Sequence, residues 1–371
     1  MPRKPIAVLI AYTGDGGVEK MVNHLLSGFL AKGLAVDLLL LKARGRHLSG
    51  IPDGVRVISL NVKTALLAIP ALRRYLLDTR PAALLAAKDR AGRVALIARR
   101  MAGTDTRVVL RIGMHLSGSL AGKNGVQRAL RLYPVRWLYP WADAIVAVAR
   151  PIAEDLSQIA RLPVDRFHVI PNPTIGPETH QQATMLPDHP WLRAASDIPV
   201  ILAAGRLKPQ KDFPTLLRAF SLLRRQQNIR LVILGEGPQR AELVALAQEL
   251  GVSRDVDLPG FHENPYGFMR AARLFVLSSR FEGAPNVLIE AMAIGTPVVA
   301  TDCPSGPHEI LQGGRVGPLV PVGDATALAA AMAGELESPT CPERLREAVQ
   351  PFTIENSTVQ YLHVLGVEAA V

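Results

Sequence analysis

Two glutamates, Glu282 and Glu290, lie on either side of a predicted helix start that is suited to binding an anion. Residues 285–294 have the pattern of a helix with a proline in its first turn. The start of a helix offers free backbone N–H groups and the positive end of the helix dipole. A diphosphate bound there would leave one carboxylate facing sugar hydroxyls and the other facing ribose hydroxyls. The alternative is that one glutamate caps the helix and the other is solvated on its surface.

A second pattern suited to phosphate lies earlier in the chain, where Gly205 ends a strand-like run and Arg206 and Lys211 follow before a helix. The planar guanidinium of Arg206 can donate two parallel hydrogen bonds to a phosphate, and Lys211 can act as a point charge. The alternative is a pair of solvated surface cations.

The loop at 14–19 comes close to the dinucleotide-binding pattern Gly-x-Gly-x-x-Gly, but Glu19 occupies the position of the third glycine. Asp37 lies about twenty residues further on, where an acidic residue would bind a ribose in that pattern. It interrupts a strand-like run instead of ending one, which weakens the hypothesis of a nicotinamide dehydrogenase. Gly16 and Gly17 either form a simple tight turn or let the backbone approach a phosphate.

Other polar residues stand at the ends of strand-like runs. His115 follows the run at 107–112 and either binds substrate or is a polar surface residue. Residues 88–90, Lys-Asp-Arg, follow another run and either line an acceptor-binding surface or are solvated. Asp255 and Asp257 mimic a metal-binding Asp-x-Asp pair, but we interpret them as the start of a short strand and predict no metal site.

The elements that position these residues alternate between strand and helix along the whole chain. Short apolar runs occur at 5–11, 34–41, 55–60, 82–87, 107–112, 144–148, 200–204, 231–234, 273–277 and 297–300. Apolar residues with helical spacing lie between most of them, as at 18–30, 213–223, 241–250, 285–294 and 325–333. This alternation predicts an α/β fold with parallel sheets.

Residues 172–199 interrupt the alternation with five prolines and many polar residues, which predicts a linker. We therefore expect two doubly wound, Rossmann-like domains, 1–180 and 181–351, that face each other across a cleft. Ligands of such sheets bind beyond the carboxyl ends of the strands.

Residues 278–301 resemble the donor-binding segment of retaining GT-B glycosyltransferases of family 4. In that family the first glutamate contacts the donor sugar and the second contacts the nucleotide ribose, which implies these roles for Glu282 and Glu290. Residues 205–213 resemble the Gly-Arg-Leu…Lys motif of the family, which implies that Arg206 and Lys211 hold the donor diphosphate.

The rest of the chain resembles the same family more loosely. Gly16 and Gly17 look like its glycine pair in the first domain, and His115 stands where many members carry a histidine that contacts the donor sugar. Residues 303–310 resemble a loop of members that build bacterial surface polysaccharides, and 352–371 look like the terminal helix that returns to the first domain. The implied catalytic residues are Glu282, His115, Arg206 and Lys211. The implied donor-binding residues are Gly16, Gly17, Gly205, Arg206, Lys211, Phe261, Glu282, Gly283, Ala284, Pro285, Asn286, Val287 and Glu290. His262 and Asn264 are further candidates to contact the base, with Phe261.

The resemblance implies transfer of a sugar, with retention, from a nucleotide-diphosphate sugar of UDP or GDP to a hydroxyl of a glycan or lipid-linked acceptor. No cofactor or metal is expected, because the cations and the helix start would stabilise the departing diphosphate. Two rivals remain: a sugar-nucleotide epimerase on the same fold, and a non-catalytic partner that binds sugars or membranes.

The net charge of +10 is distributed unevenly. Residues 1–175 contain 26 lysines and arginines against 11 aspartates and glutamates, whereas residues 176–371 contain 16 against 21. The basic first half is suited to binding anionic lipid headgroups or a phosphorylated acceptor. Within it, residues 120–141 mix cations with tryptophans and leucines, as membrane-interface segments do. The alternative is a solvated basic surface. No nucleic-acid partner is expected, because helix-turn-helix, zinc-finger and RNA-binding aromatic motifs are missing from the sequence.

The sequence also predicts a cellular location. No apolar stretch approaches the ~20 residues of a spanning helix, and the run at 6–11 is too short for a signal peptide. Cys303 and Cys341 have neither disulfide nor metal spacing. We therefore expect a cytoplasmic enzyme that is either soluble or peripheral at the inner face of the plasma membrane.

Overall fold

The computed structural model describes residues 4–13, 17–44, 48–120, 122, 124–193 and 198–368. The chain forms two compact units, one comprising Met1–Thr174 with Phe352–Val371 and the other comprising Ile175–Pro351. None of the helices in the described ranges is long and apolar enough to cross a membrane.

The first unit is built on a seven-stranded parallel sheet in the order β3-β2-β1-β4-β5-β6-β7. Its strands are β1 (Ile6–Thr13), β2 (Val36–Arg44), β3 (Arg56–Ser59), β4 (Ala83–Ala86), β5 (Arg107–Ile112), β6 (Ala144–Ala147) and β7 (Phe167–Val169). Its helices in this part of the chain are α1 (Gly17–Ala31), α2 (Ile69–Thr79), α3 (Asp89–Ala102), α4 (Leu116–Ser119), α5 (Gly125–Leu138) and α6 (Arg150–Ala160). The order reverses between β1 and β4, which is where open parallel sheets bind ligands.

The second unit repeats this plan with a six-stranded parallel sheet in the order β10-β9-β8-β11-β12-β13. Its strands are β8 (Val200–Ala204), β9 (Arg230–Leu234), β10 (Val256–Gly260), β11 (Leu274–Leu277), β12 (Val298–Thr301) and β13 (Leu319–Val320). Its helices are α7 (Pro177–Ala183), α8 (Phe213–Arg224), α9 (Arg240–Glu249), α10 (Pro265–Ala271), α11 (Asn286–Ile294), α12 (Pro307–Ile310), α13 (Ala325–Glu337) and α14 (Pro342–Ala348). Here the order reverses between β8 and β11.

The last helix, α15 (Ile354–Leu365), belongs to the first unit. Tyr361 and Leu365 are buried in the core formed by β1, β2 and α1. The Arg107 side chain donates a hydrogen bond to the backbone oxygen of Val364 at 2.8 Å. A Cβ on Gly28 of α1 would overlap the side chain of Thr358, so glycine lets the two helices approach closely.

Asp37 is a structural residue of the first unit. It is buried on β2, where its carboxylate accepts hydrogen bonds from the Arg56 guanidinium and, at 2.6 Å, from the Tyr75 hydroxyl. A carboxylate committed to these partners is not available to a ribose, which argues against the dehydrogenase hypothesis.

The predicted linker is more ordered than its proline content suggested. Residues 177–183 form α7, which packs on α10 in the second unit. The Asn264 amide donates to the backbone oxygen of Gln182 at 2.9 Å, and a Cβ on Gly267 would overlap the backbone oxygen of Met185. Pro177 starts this helix, so the described part of the predicted linker packs on the second unit. Residues 194–197 of the predicted linker lie outside the described residues.

Candidate active site

The candidate site of the second unit lies where β8 and β11 end side by side at the reversal of strand order. The chain leaves β8 through residues 205–212 and leaves β11 through residues 278–282. Arg206 and Lys211 therefore lie on one loop, and Glu282, which is distant from them in sequence, lies on the neighbouring loop. This is the position at which parallel sheets of this type bind ligands.

Lys211 and Glu282 are in direct contact. The Lys211 Nζ donates to Glu282 Oε1 at 2.6 Å, and the Ser279 hydroxyl donates to the same oxygen, also at 2.6 Å. The Glu282 side chain is 8% exposed and that of Lys211 is 16% exposed. Sequence reasoning assigned the lysine to phosphate and the glutamate to sugar; the structure shows that the two form one hydrogen-bonded group.

The two loops are joined by further hydrogen bonds. The Ser278 hydroxyl donates to the Lys211 backbone oxygen at 2.8 Å, and the Gln210 amide donates to the Phe281 backbone oxygen at 2.9 Å. A Cβ on Gly205 would lie 2.9 Å from Cε of Lys211, so the absence of a side chain lets the lysine stem cross the loop. The site is therefore held in shape by its own residues.

Helix α11 begins one residue later than predicted. Pro285 is its N-cap, and the Pro285 backbone oxygen accepts from the Leu288 N–H at 3.0 Å. Five predicted donor-binding residues lie just before α11 or in its first turn, and all are buried or half-buried: Gly283, Ala284, Pro285, Asn286 and Val287. Glu290 is buried, and its Oε1 accepts a hydrogen bond from the Tyr266 hydroxyl at 3.3 Å.

The other predicted donor contacts in this unit differ in accessibility. Arg206 is exposed and forms no side-chain hydrogen bond or ion pair with the residues that the structure describes, so it is available to an anion. Phe261 follows β10 and is 42% exposed, as a base-stacking residue needs to be. Burial lowers the pKa of His262, whose ring lies against Phe268. Asn264 caps α10 through the Tyr266 and Gly267 N–H groups, so its side chain is committed to the helix and does not fit the expected base contact.

In the first unit, the residue that breaks the dinucleotide pattern forms a buried ion pair. Glu19 is 3% exposed, and the Lys88 Nζ donates to its Oε1 at 2.9 Å and to the Ala11 backbone oxygen at 3.0 Å. This ion pair lies at the reversal between β1 and β4. Gly17 is the first residue of α1, and Gly16 lies outside the described residues.

His115 lies in the loop after β5, as predicted, and caps the short helix α4. Its Nδ1 is 3.2 Å from the backbone nitrogen of Gly118 and 3.4 Å from an Asp155 carboxylate oxygen. Its side chain is 26% exposed. The structure thus gives His115 a local structural role, and its proposed contact with the donor sugar stays a prediction.

The Asp-x-Asp pair of the second unit is used for structural contacts. Asp257 Oδ2 lies 2.9 Å from Nε2 of the buried His189, and Asp255 Oδ2 accepts from Arg224 Nε at 2.9 Å. In the described ranges, histidine, cysteine, aspartate and glutamate form no cluster of three or more that could hold a metal ion. Burial and, secondly, the charge of Glu282 raise the pKa of the Cys303 thiol to about 12, so this cysteine is protonated at neutral pH.

Sequence reasoning missed three residues that hold the site together. They are Ser279, Tyr266 and Ser305, whose hydroxyls bond Glu282 Oε1, Glu290 Oε1 and the Glu282 backbone oxygen. Ser279 and Ser305 lie within the segments 278–301 and 303–310 that resemble the family, whereas Tyr266 lies in neither. Tyr266 is 24 residues from its partner and Ser305 is 23 residues from its own, and no local pattern signals such contacts.

Both units match known families. Residues 16–173 match the family described as glycosyl transferase 4-like domain, and residues 188–351 match glycosyl transferases group 1. The chain is 33% identical over 264 residues to the N-acetylgalactosamine-N,N'-diacetylbacillosaminyl-diphospho-undecaprenol 4-alpha-N-acetylgalactosaminyltransferase of Campylobacter jejuni, covering 70% of this chain and 67% of the relative.

Two further proteins align over nearly the whole chain. The lipopolysaccharide core biosynthesis glycosyltransferase LpsE of Rhizobium meliloti is 28% identical over 362 residues, which is 95% of this chain and 96% of the relative. The crystal structure of Anabaena HepE in complex with UDP and glucose superposes with a TM-score of 0.78 at 20% identity, covering 98% of this chain and 100% of that chain. The latter similarity supports the two-domain fold.

Proposed function

This chain belongs to the GT-B glycosyltransferases of family 4 type, and from that membership we propose that it transfers a sugar from a nucleotide-diphosphate sugar to a hydroxyl of a glycan or lipid-linked acceptor in bacterial surface polysaccharide synthesis. One observation supports a nucleotide-diphosphate sugar as the donor. At the reversal of strand order, Lys211 and Glu282 form an ion pair, and the exposed Arg206 lies on the same loop as Lys211. Two cations beside a helix start suit a diphosphate, and a buried carboxylate suits sugar hydroxyls. The Campylobacter relative is named for a diphospho-undecaprenol acceptor, which favours a lipid-linked acceptor here.

The proposed chemistry depends on stabilising the leaving group. The bond between the anomeric carbon and the phosphate oxygen breaks, the acceptor oxygen bonds to the same face of that carbon, and the departing phosphate accepts the acceptor proton. Arg206 and Lys211 offset the charge that develops on the diphosphate, and Glu282 orients the sugar. The result is retention of anomeric configuration.

The proposal is tested by incubating the purified protein with UDP- and GDP-sugars and a lipid-diphosphate-linked glycan. Release of nucleoside diphosphate that depends on the acceptor, with a product of the donor's anomeric configuration by NMR, would support it. An epimerised sugar nucleotide without diphosphate release would identify an epimerase. Binding without turnover of any donor would identify a non-catalytic partner.

We expect turnover to survive EDTA, because the cations of the site can offset the leaving-group charge without a divalent ion. Rates measured with excess EDTA and with added Mg²⁺ or Mn²⁺ should agree within about twofold. Asp257→Ala is the matched variant: it removes the partner of His189 and should lower the thermal midpoint while turnover in the folded protein is retained. Loss of activity on chelation, restored by a divalent ion, would contradict metal independence.

We also propose that the first unit contacts an anionic membrane. Two cations of the first unit are already paired with carboxylates: Arg131 lies 3.2 Å from Asp89, and Arg99 lies 2.8 Å from Asp143. Lys123 lies outside the described residues. Arg128 and Arg136 of α5 are exposed, and Arg90 and Arg100 of α3 are exposed as well.

The protein is therefore expected to sediment with phosphatidylglycerol vesicles at low salt and only weakly with phosphatidylcholine vesicles. Binding should fall several-fold as salt rises to about 0.5 M, because the screening length shrinks from tens of ångströms to a few. If the protein stays in the supernatant with anionic vesicles at low salt, the proposal that the first unit contacts the membrane is wrong.

A further inference from the structure

Tyr266 is a buried tyrosine of α10 whose hydroxyl contacts a predicted donor-binding residue. Tyr266 and Glu290 are 2% and 3% exposed, and the Tyr266 hydroxyl donates to Glu290 Oε1 at 3.3 Å. The two residues are 24 positions apart in the chain, and the packing of α10 on α11 brings them together. A helix that carries none of the predicted site residues therefore reaches the carboxylate expected to bind the ribose.

The position of Tyr266 is fixed independently of Glu290. The Asn264 side chain accepts from the Tyr266 N–H at 3.1 Å and from the Gly267 N–H at 3.4 Å. Its own amide donates to the backbone oxygen of Gln182 in α7 at 2.9 Å. The start of α10 is thus tied to α7, and the Tyr266 hydroxyl has a set position from which it can orient a partner.

Glu290 needs such a partner for two reasons. A buried carboxylate loses its hydration, and it is stable only when hydrogen bonds replace the lost water. The last torsion of a glutamate side chain is also broad, so packing of the stem does not define the plane of the carboxylate. A hydrogen bond to one oxygen fixes that plane. Because a carboxylate can accept about four hydrogen bonds, it can accept from Tyr266 and from the hydroxyls of a ligand as well.

The surroundings of this pair suit a nucleoside. Glu290 is four residues after Asn286, the first residue of α11, which places it about 6 Å along the helix axis from the proposed diphosphate position. Phe261, the exposed ring suited to stack on a base, lies between β10 and α10, on the same segment as Tyr266. Since the ribose joins the base to the diphosphate in a nucleotide, a carboxylate flanked by these two candidate contacts is suited to its hydroxyls.

We propose that Tyr266 is a positioning residue that holds the Glu290 carboxylate in the orientation in which it accepts from both ribose hydroxyls, and that the site thereby selects ribonucleotide over deoxyribonucleotide donors. This inference rests on the proposed function and adds to it a residue that acts through Glu290. A ligand without the 2′-hydroxyl leaves an oriented, desolvated carboxylate oxygen unpaired. A site built to bind a hydroxyl therefore rejects the analogue that lacks it.

The test compares the affinities of UDP and 2′-deoxy-UDP, and of GDP and 2′-deoxy-GDP, by isothermal titration calorimetry without acceptor. With the base that it prefers, wild type should bind the ribonucleotide about tenfold or more tightly than the deoxyribonucleotide, because a hydrogen bond to a charged group is lost in the latter. Tyr266→Phe keeps the ring and removes the hydroxyl. It should weaken ribonucleotide binding about tenfold and change deoxyribonucleotide binding by about twofold or less, so that most of the selectivity is lost.

Tyr75→Phe is the matched control. The Tyr75 hydroxyl also donates to a buried carboxylate, at 2.6 Å to Asp37 Oδ2, but this pair belongs to the first unit. Its loss should lower the thermal midpoint and leave the ratio of the two affinities unchanged. Since both affinities are measured on one protein, a smaller folded fraction of a variant does not change their ratio.

The kinetic effect should also differ from that of the residues around the diphosphate. In the transferase assay, Tyr266→Phe should raise the donor KM about tenfold and leave kcat within about threefold of wild type. A ribose contact is remote from the reacting carbon and is made equally in the ground state and the transition state, so its loss affects binding alone.

Each contrary result is distinct. If Tyr266→Phe weakens ribonucleotide and deoxyribonucleotide binding equally, Tyr266 has only a structural role and the proposal is overturned. If the variant lowers ribonucleotide affinity by the same factor in a Glu290→Gln background, Tyr266 does not act through Glu290, which overturns it as well. If wild type binds the diphosphates without preferring ribose, the ribose contact fails while the donor class stands. If wild type binds neither UDP nor GDP, the proposed donor class fails too.

Discussion

Replacing Lys211 with alanine should lower turnover by about 100-fold or more, because removing a preorganised stabiliser of a developing negative charge typically costs that much. The Lys211 ammonium lies at the reversal of strand order, with its stem across Gly205 and its Nζ bonded to Glu282. It is therefore already in place when the donor binds. Stopped assays of nucleoside-diphosphate release under saturating donor would measure the loss in kcat.

Two further variants make this prediction specific. Lys208→Ala removes an exposed lysine from the same loop and should leave turnover within about twofold of wild type. Since Lys211→Ala leaves the buried Glu282 without its cation, the variant will be less stable, and rates must be compared below its thermal midpoint. Arg206→Ala removes an exposed side chain and should lose a similar factor of turnover without destabilisation. Wild-type rates in both folded variants would exclude the two cations from the site.

Glu282→Gln is expected to lower kcat by about 100-fold as well, for a different reason. The amide keeps the size of the side chain but removes the charge that Lys211 and Ser279 hold in place, so the group that orients the sugar is misplaced. Small displacements of an orienting group can cost on the order of 10²-fold. Glu249→Gln, at an exposed position of α9, is the control and should leave kcat unchanged.

The two changes should also be non-additive. Residues in direct contact show coupling of about 0.5–3 kcal/mol in double-variant cycles, and the 2.6 Å bond between Nζ and Oε1 places this pair in that class. The double variant Lys211→Ala, Glu282→Gln should therefore lose much less than the product of the two factors. Strict multiplication, or a kcat for Glu282→Gln near wild type, would contradict the arrangement described here.

The α/β fold and the family could be predicted from the sequence because both depend on local signals. Strand β5 occupies the predicted residues 107–112, and each predicted strand corresponds to one in the sheets. Fully buried strands of parallel sheets are continuous apolar runs, which a sequence shows directly. The short strands β7 and β13 were missed because three and two residues are too few to form a recognisable run.

The candidate site was only partly predictable. Arg206, Lys211 and Glu282 follow the apolar runs that form β8 and β11. Because neighbouring parallel strands end at the same edge of a sheet, it could be anticipated that these residues lie on neighbouring loops. That Lys211 bonds Glu282 could not be, because the two are 71 residues apart and either could have faced solvent. The same holds for the exposed apolar residues Val126, Leu130, Tyr133 and Trp137 of α5. Helical spacing indicates that such residues share a face but not whether that face is covered.

The position of α15 has a consequence for how the chain is made. Residues 1–174 leave the ribosome first, yet their core is closed by Tyr361 and Leu365, and the intervening residues all belong to the other unit. At about 5–20 residues per second, synthesis from Thr174 to Phe352 takes roughly 10 to 35 seconds. The second unit is complete before the first. During that interval the apolar surface of α1, β4 and β5 that α15 covers in the folded protein is exposed. We therefore expect the nascent first unit to be the part of this chain that depends most on chaperones.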